Sequence, residues 1–356
     1  MAQLRQRYLG VLLGGAAGDA LGAPLDGKTP EQARASVPTD AHGVRALRHL
    51  LPVDGSLGGH TDVTQLVLFV AEGLIRSHHR HAVGQPSDAT SMVYAAMLRW
   101  MSTQTQRSPP PRADGWLASV PELYRPASRD LGTLRALRSG LRGSLERPIN
   151  NWRDASVLPR VAATALSSWT PYQVASDIAA LTHSHPEPCY AAGLYACILQ
   201  KLLVGEPMAD AVASGLSRLP DDDEAAELQA VVDHALDTAD LGDPTPERAA
   251  EVLAFGGPDP SHARAVLGVS LYLVGCIERL DDAIGVAVLV GGPASRVGAT
   301  VGQLCGAMRG PDELPAGLAD ALKLRKVVET VADDLYRHFS GVPFDVTEDE
   351  WDRYPG

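Results

Sequence analysis

The sequence predicts an all-α protein, and three observations carry that expectation. Apolar residues recur at the i, i+3, i+4 spacing of a helix that buries one face, while two-residue strand alternation is nearly absent. Hydrophobic residues make up 45% of the chain but aromatics only 5%, so the core must be built from Ala, Leu and Val, and Ala and Leu favour helix. Clusters of Pro and Gly, such as 107–115 and 255–262, separate the periodic segments, yet none is long or biased enough to divide the chain. The 356 residues are therefore read as one domain, 1–356, with no fixed-period repeat.

The periodic segments run in order over 4–22, 61–77, 88–102, 130–144, 171–182, 187–204, 207–218, 223–238, 245–254, 261–276, 280–290, 295–308 and 323–338. In the first, Gly10, Gly14, Gly18 and Gly22 recur every four residues. Asp19 is a charge on this otherwise apolar helix, so it must be paired or hydrogen-bonded, for example by capping another helix. The segment at 61–77 opens with Asp62 and carries Gln65 three residues on, the pattern of a capping box. The three histidines of "RSHHRH" are placed after its end, where basic groups suit a helix C-terminus. Short basic spacing at 135–147 reads as a solvated face. "THSHPEP" at 182–188 reads as a turn before a helix, with Thr182 or Ser184 as the cap. Gly298, Gly302 and Gly306 repeat the four-residue spacing in 295–308. Each interior Gly costs about 1 kcal/mol against Ala, which makes sense if another backbone comes very close to both rows.

Charge narrows the partners. A net charge of −12 argues against nucleic acid and anionic membrane, which need clustered Lys and Arg. Four separated cysteines form no CxxC pair and read as free thiols of a reducing compartment. The Gly-punctuated start contains Asp19 and no signal-like cleavage site, and no run reaches the roughly 18 uninterrupted apolar residues of a bilayer span. The expected compartment is cytoplasmic.

Four stretches then fall into a known order. "GVLLGGAAGDALGAPLD" (10–26), "HTDVTQLVLFVAEGL" (60–74), "LTHSHPEPCYAAGLYA" (181–196) and "AIGVAVLVGGPASRVGATVGQLCGAMRG" (283–310) resemble, in sequence, the motifs of the ADP-ribosylglycohydrolase family. The resemblance implies a compact, orthogonally packed all-α fold. It also implies hydrolysis of a glycosidic bond to ADP-ribose, assisted by two Mg²⁺ or Mn²⁺ ions on hydroxyl and carboxylate oxygens.

Against that pattern the chain departs at the metal ligands. Thr61 and Asp62 match the Thr-Asp-Asp-Thr start, but the second Asp is Val63. The late Asp-x-Asp-Thr is Pro293, Ala294, Ser295 and Arg296. The acidic residue after the first helix, often Glu, is Asp26. Asp62, Asp26, Thr61 and Ser295 supply at most two carboxylates, and Arg296 brings a cation to the same place, where it can pair with Asp62 or Asp26. No metal cofactor is expected. The family's Gly-rich substrate loop corresponds to 148–166, where Asn150 and Asn151 remain and Trp152, Arg153, Asp154 and Ala155 replace the glycines. His183 and His185 have a spacing seen in zinc sites, but no third ligand stands beside them in sequence.

The functional expectation is a family member without binuclear-metal ADP-ribosyl hydrolase activity, with an ADP-ribose-like or other small molecule as ligand, or a protein partner of unknown identity. Asn150, Asn151, Trp152, Arg153, His183, Thr61, Ser295 and Arg296 are the candidate ligand-binding residues. The alternative is a diverged, metal-independent enzyme acting on another glycosidic or related substrate, with Asp62 or Asp26 as general acid or base.

Overall fold

A computed structural model describes residues 2–37, 50–52, 57–125, 131–167, 170–242, 244–342 and 346–355. Seventeen α-helices and three single-turn 3₁₀ helices account for the described architecture. In chain order the α-helices are α1 Ala2–Gly22, α2 Pro30–Ala35, α3 Asp62–Ala82, α4 Ala89–Thr105, α5 Leu131–Arg138, α6 Val157–Ala165, α7 Pro171–Ala180, α8 Pro186–Leu203 and α9 Met208–Leu216. They continue as α10 Asp223–Asp240, α11 Pro246–Phe255, α12 Ala263–Cys276, α13 Leu280–Ala287, α14 Ala294–Arg309, α15 Ala316–Ala321, α16 Arg325–Phe339 and α17 Glu348–Arg353. Among the described residues there is no strand, only an isolated antiparallel bridge between Asp154 and His262.

The centre of the fold is the antiparallel pair α1 and α14. Gly10 faces Gly306, Gly14 faces Gly302, Gly18 faces Gly298 and Gly22 faces Ala294. A Cβ built on any of these glycines would stand within 3.0 Å of the opposing backbone, closer than real Cβ contacts come. Two backbones in direct contact need two rows of glycine, and that is why both helices carry them at the same spacing. Gln303 completes this contact: its amide donates to the Pro159 carbonyl at 2.9 Å and its oxygen accepts from the Tyr195 hydroxyl at 2.6 Å. The pair thereby ties α6 and α8 to itself. Length and hydropathy alone would let Ala2–Leu25 cross a membrane, but 89% of its most apolar window is buried inside the protein.

Several boundaries differ from expectation. The segment expected at 130–144 ends at Arg138, because Gly140 takes a φ of 70° and turns the chain. Helix α3 runs on to Ala82, so the histidines expected beyond its end lie inside its last turns, with His79 fully buried. Helices α2, α6, α15 and α17 have no counterpart among the expected segments. Three of them are single short turns of six residues, too brief to show a period. Helix α6 is buried along its whole length, spans only nine residues and carries Pro159 near its start, so its period is too short and interrupted to stand out in sequence. All four cysteines are free thiols, with Cys189 and Cys305 buried.

Candidate functional site

The site assembles where the first turns of α3 and α14 meet the end of α1. Asp19 is buried on α1 and receives four hydrogen bonds from the start of α3. The Thr61 amide and hydroxyl donate at 2.9 and 2.7 Å, and the Thr64 amide and hydroxyl donate at 3.2 and 2.6 Å. Burial raises the Asp19 carboxyl above its ordinary value, and the hydrogen bonds from Thr64 and Thr61 oppose that. The role expected of Asp19, capping another helix, is what the structure gives it.

Asp62 does not form the capping box expected of it. Thr61 is the N-cap, its hydroxyl accepting from the Val63 amide at 3.1 Å, and Asp62 is the first helical residue. Gln65 turns inward, where its oxygen accepts from the Trp100 indole at 2.9 Å and the Gln104 amide at 2.7 Å. A Thr before the first acidic residue competes for the cap, and here the branched hydroxyl wins. Val63 is buried, consistent with an apolar residue in place of the second carboxylate.

On the other side, Gly291 and Gly292 take positive φ and turn the chain into α14. The Gly27 amide donates to the Gly292 carbonyl at 2.9 Å and the Gly292 amide to the Lys28 carbonyl at 2.9 Å. This two-way lock seats Asp26 at the α14 N-terminus, where its carboxylate accepts from the Ser295 amide at 2.8 Å. A carboxylate suits the partial positive charge of a helix start. Asp26 is thus a structural cap for α14, half-buried, and Ser295 is buried beside it.

The loop before α6 supplies the remaining groups. The Ala155 amide donates to the Ser261 carbonyl and the Ala263 amide to the Arg153 carbonyl, both at 2.8 Å, pinning the loop to the start of α12. Asn150 latches it to the turn before α8: its amide donates to the Thr182 carbonyl at 2.8 Å, and its oxygen accepts from the Ser184 and Trp152 amides at 3.3 Å. Asn151 is exposed.

Held between these pieces is a pair that sequence reasoning did not single out. The Asp154 carboxylate meets Nε2 of the fully buried His183 at 2.6 Å, and its other oxygen accepts from the Ser156 amide at 3.1 Å. The opposite ring nitrogen of His183 lies 2.9 Å from the Thr182 hydroxyl, which accepts from the buried Arg160 at 2.6 Å. Burial works against the charge on Asp154, but the His183 ring, and to a smaller extent Arg296, outweigh it and hold the carboxyl far below the usual range. The side chain of Asp154 keeps 27% of its surface exposed, with one oxygen held by His183 and the other by the Ser156 amide. Trp152 packs edge-on to the His183 ring with centroids 5.8 Å apart. Only its neighbours made Asp154 recognisable: "WRDAS" has the Asp-x-Ser spacing of a side chain that bonds the backbone two residues on.

Arg153 and His185 lie in a second cluster. His185, Glu187 and Glu224 have ligand atoms close enough together to hold a metal ion, supplying the neighbours that the sequence spacing lacked. Arg153 occupies the same space, donating to Glu224 at 3.1 Å and approaching Glu187 at 3.5 Å. Nδ1 of His185 accepts from the Glu187 amide at 3.2 Å, capping α8 in place of the expected Thr182 or Ser184. The neutral ring then carries its proton on Nε2, toward Glu224 at 3.5 Å. The Arg153 guanidinium thus offsets part of the carboxylate charge in this cluster.

The predicted residues thus divide in two. Asp26 and Ser295 share a direct bond, His183 is bonded to Asp154 in the field of Arg296, and Thr61, just before Asp62, is bonded to Asp19, whose carboxyl feels Asp26. Arg153 faces the second cluster instead. The donor set at the first group does not fit two hard cations. Its hydroxyl at Thr61 is engaged with Asp19 and Val63, Asp26 caps α14, and Arg296 adds positive charge.

Comparison with known proteins agrees with this architecture. Residues 1–343 match the family model described as ADP-ribosylglycohydrolase. A solved structure described as "ADP-ribosylglycohydrolase-related protein complex" superposes with a TM-score of 0.66 at 23% identity, covering 95% of this chain and 99% of that one. At that identity the likeness shows the fold. No curated protein matches the chain.

Proposed function

The chain belongs to the ADP-ribosylglycohydrolase family, and from that premise we propose that it binds an ADP-ribose-like ligand without the family's binuclear metal centre and without metal-dependent hydrolysis. The observation that carries this reading is the partly exposed, ionised Asp154, fixed by buried His183, with Trp152 packed on that ring and Arg296 in its field. Such a group accepts hydrogen bonds from sugar hydroxyls, an indole offers a face or edge to a base or ribose, and a guanidinium matches a phosphate. These are protein substitutes for what metal ions would supply to a phosphorylated ribose. Charge supports the loss of metal: a guanidinium near the carboxylates opposes a divalent cation, and a hard-cation site needs several anionic oxygens.

The test is a titration with ADP-ribose in the presence of a chelator, read as heat or as a shift in the unfolding midpoint. Binding that survives the chelator and weakens at least tenfold in Trp152→Ala and Arg296→Ala supports the reading. Binding that appears only with Mg²⁺ or Mn²⁺, or metal-dependent release of ADP-ribose from a modified acceptor, overturns it.

A further inference from the structure

A different part of the molecule holds a geometry that the family's chemistry does not use. Two imidazoles, His79 on α3 and His338 on α16, point Nε2 at Nε2 across 3.4 Å. His79 is fully buried and His338 is 6% exposed. The other nitrogen of His79, Nδ1, lies 2.8 Å from the Tyr354 carbonyl oxygen. A carbonyl can only accept, so Nδ1 carries the proton and the Nε2 lone pair faces His338.

We propose that His79 and His338 form a site for a borderline divalent transition metal, with Zn²⁺ as the class representative. Zn–N bonds of about 2.0–2.1 Å at a tetrahedral angle place two ligand nitrogens roughly 3.3–3.4 Å apart, which is the separation here. It is at the long end for a hydrogen bond, since N–H···O bonds centre near 2.9–3.0 Å. The Nδ1–H bond to a backbone carbonyl is the outer-shell contact that orients metal-binding histidines. Burial holds both rings neutral, as ligands must be, and pushes His338 down to about 3. The surrounding charges are largely matched: Arg337 pairs with Glu350 at 3.1 Å, and Arg353 with Asp334 at 3.1 Å. His338, with His78 and His81, lines a cavity of about 780 Å³ that His79 does not reach, so water or a small anion would complete the coordination from the His338 side.

The experiment uses untagged, chelator-treated protein and Co²⁺ as a spectroscopic stand-in for Zn²⁺. One Co²⁺ per chain with tetrahedral visible absorption, displaced by Zn²⁺ and accompanied by a higher unfolding midpoint, is expected. His338→Gln should abolish the absorption and the shift, while His185→Gln, in the ion-pair cluster near α8, should leave both unchanged. His79→Gln repeats the loss from the other side; should it fail to fold, His338→Gln at the cavity wall still decides. No absorption and no shift would show that the pair is an ordinary hydrogen bond. Signals that persist in His338→Gln or vanish in His185→Gln would place the metal elsewhere, and either result overturns the proposal.

Discussion

Replacing Gly302 with Ala adds one carbon at the point where α14 touches α1. The new Cβ would come within 3.0 Å of the Gly14 carbonyl group, whereas ordinary contact begins near 3.4 Å. Both partners are backbone, so no rotamer change relieves the clash and the helices must part by roughly 1 Å. A gap of that size forfeits a quarter to a half of each contact of about 0.1–0.2 kcal/mol, over tens of contacts along the pair. Overpacking of this kind costs about 1–3 kcal/mol, and the better helix propensity of Ala returns up to about 1 kcal/mol. The expected net loss is roughly 0–3 kcal/mol by equilibrium denaturation in urea, with Gly302→Leu worse. Gly14→Ala combined with Gly302→Ala should cost less than the sum, because one separation relieves both clashes. Gly317→Ala is the control: nothing lies within 4 Å of a Cβ there, so it should be neutral or slightly stabilising. Should Gly302→Ala stabilise the protein as much as Gly317→Ala does, the close backbone contact does not exist.

Three further outcomes follow from the same structure. Asp19→Ala should cost about 3 kcal/mol or more, because it strands buried amides and hydroxyls of Thr61 and Thr64; a loss under about 1 kcal/mol in chemical denaturation would refute its capping role. Stability should fall as pH drops below 6.5, because His338 and His60 are held by burial at about 3 and about 4, below their ordinary 6.5, so the unfolded chain binds more protons between those values. Each contributes a slope of up to about 1.4 kcal/mol per pH unit, and His338→Gln should flatten the stability profile between pH 4 and 6. Asp154→Asn should weaken ADP-ribose binding in the titration described above and also lower the urea midpoint, because it removes the charge that buried His183 stabilises; binding left unchanged beside a lowered midpoint would make it a structural group only.

The glycine rows were legible in the sequence because only close backbone approach explains two matching four-residue repeats. The helical architecture was legible wherever a helix was long enough to show its period, and α6 escaped because it spans only nine residues with Pro159 near its start. The site was legible only in part. Local patterns marked Asp62 and Gln65 as a cap, but spacing along the chain does not reveal that Gln65 turns to Trp100 or that Thr61 outcompetes it. The Asp154–His183 pair spans 29 residues and forms because Asn150 latches its loop to the turn before α8, a long-range contact with no periodic trace. Asp26 was read as a catalytic candidate from its place after the first helix, but spacing along the chain did not reveal that the turn made by Gly291 and Gly292 brings the Ser295 amide to it.

The most direct test of the central claim is a calorimetric titration of the chelator-treated protein with Mg²⁺, a cation that carboxylates hold and imidazoles do not. Without the second carboxylate at Val63 and those at Pro293 and Ser295, and with Arg296 beside Asp154, no micromolar binding is expected, and ADP-ribose should bind equally well with or without Mg²⁺. Two tightly bound Mg²⁺ ions per chain, lost in Asp62→Asn, would contradict the account.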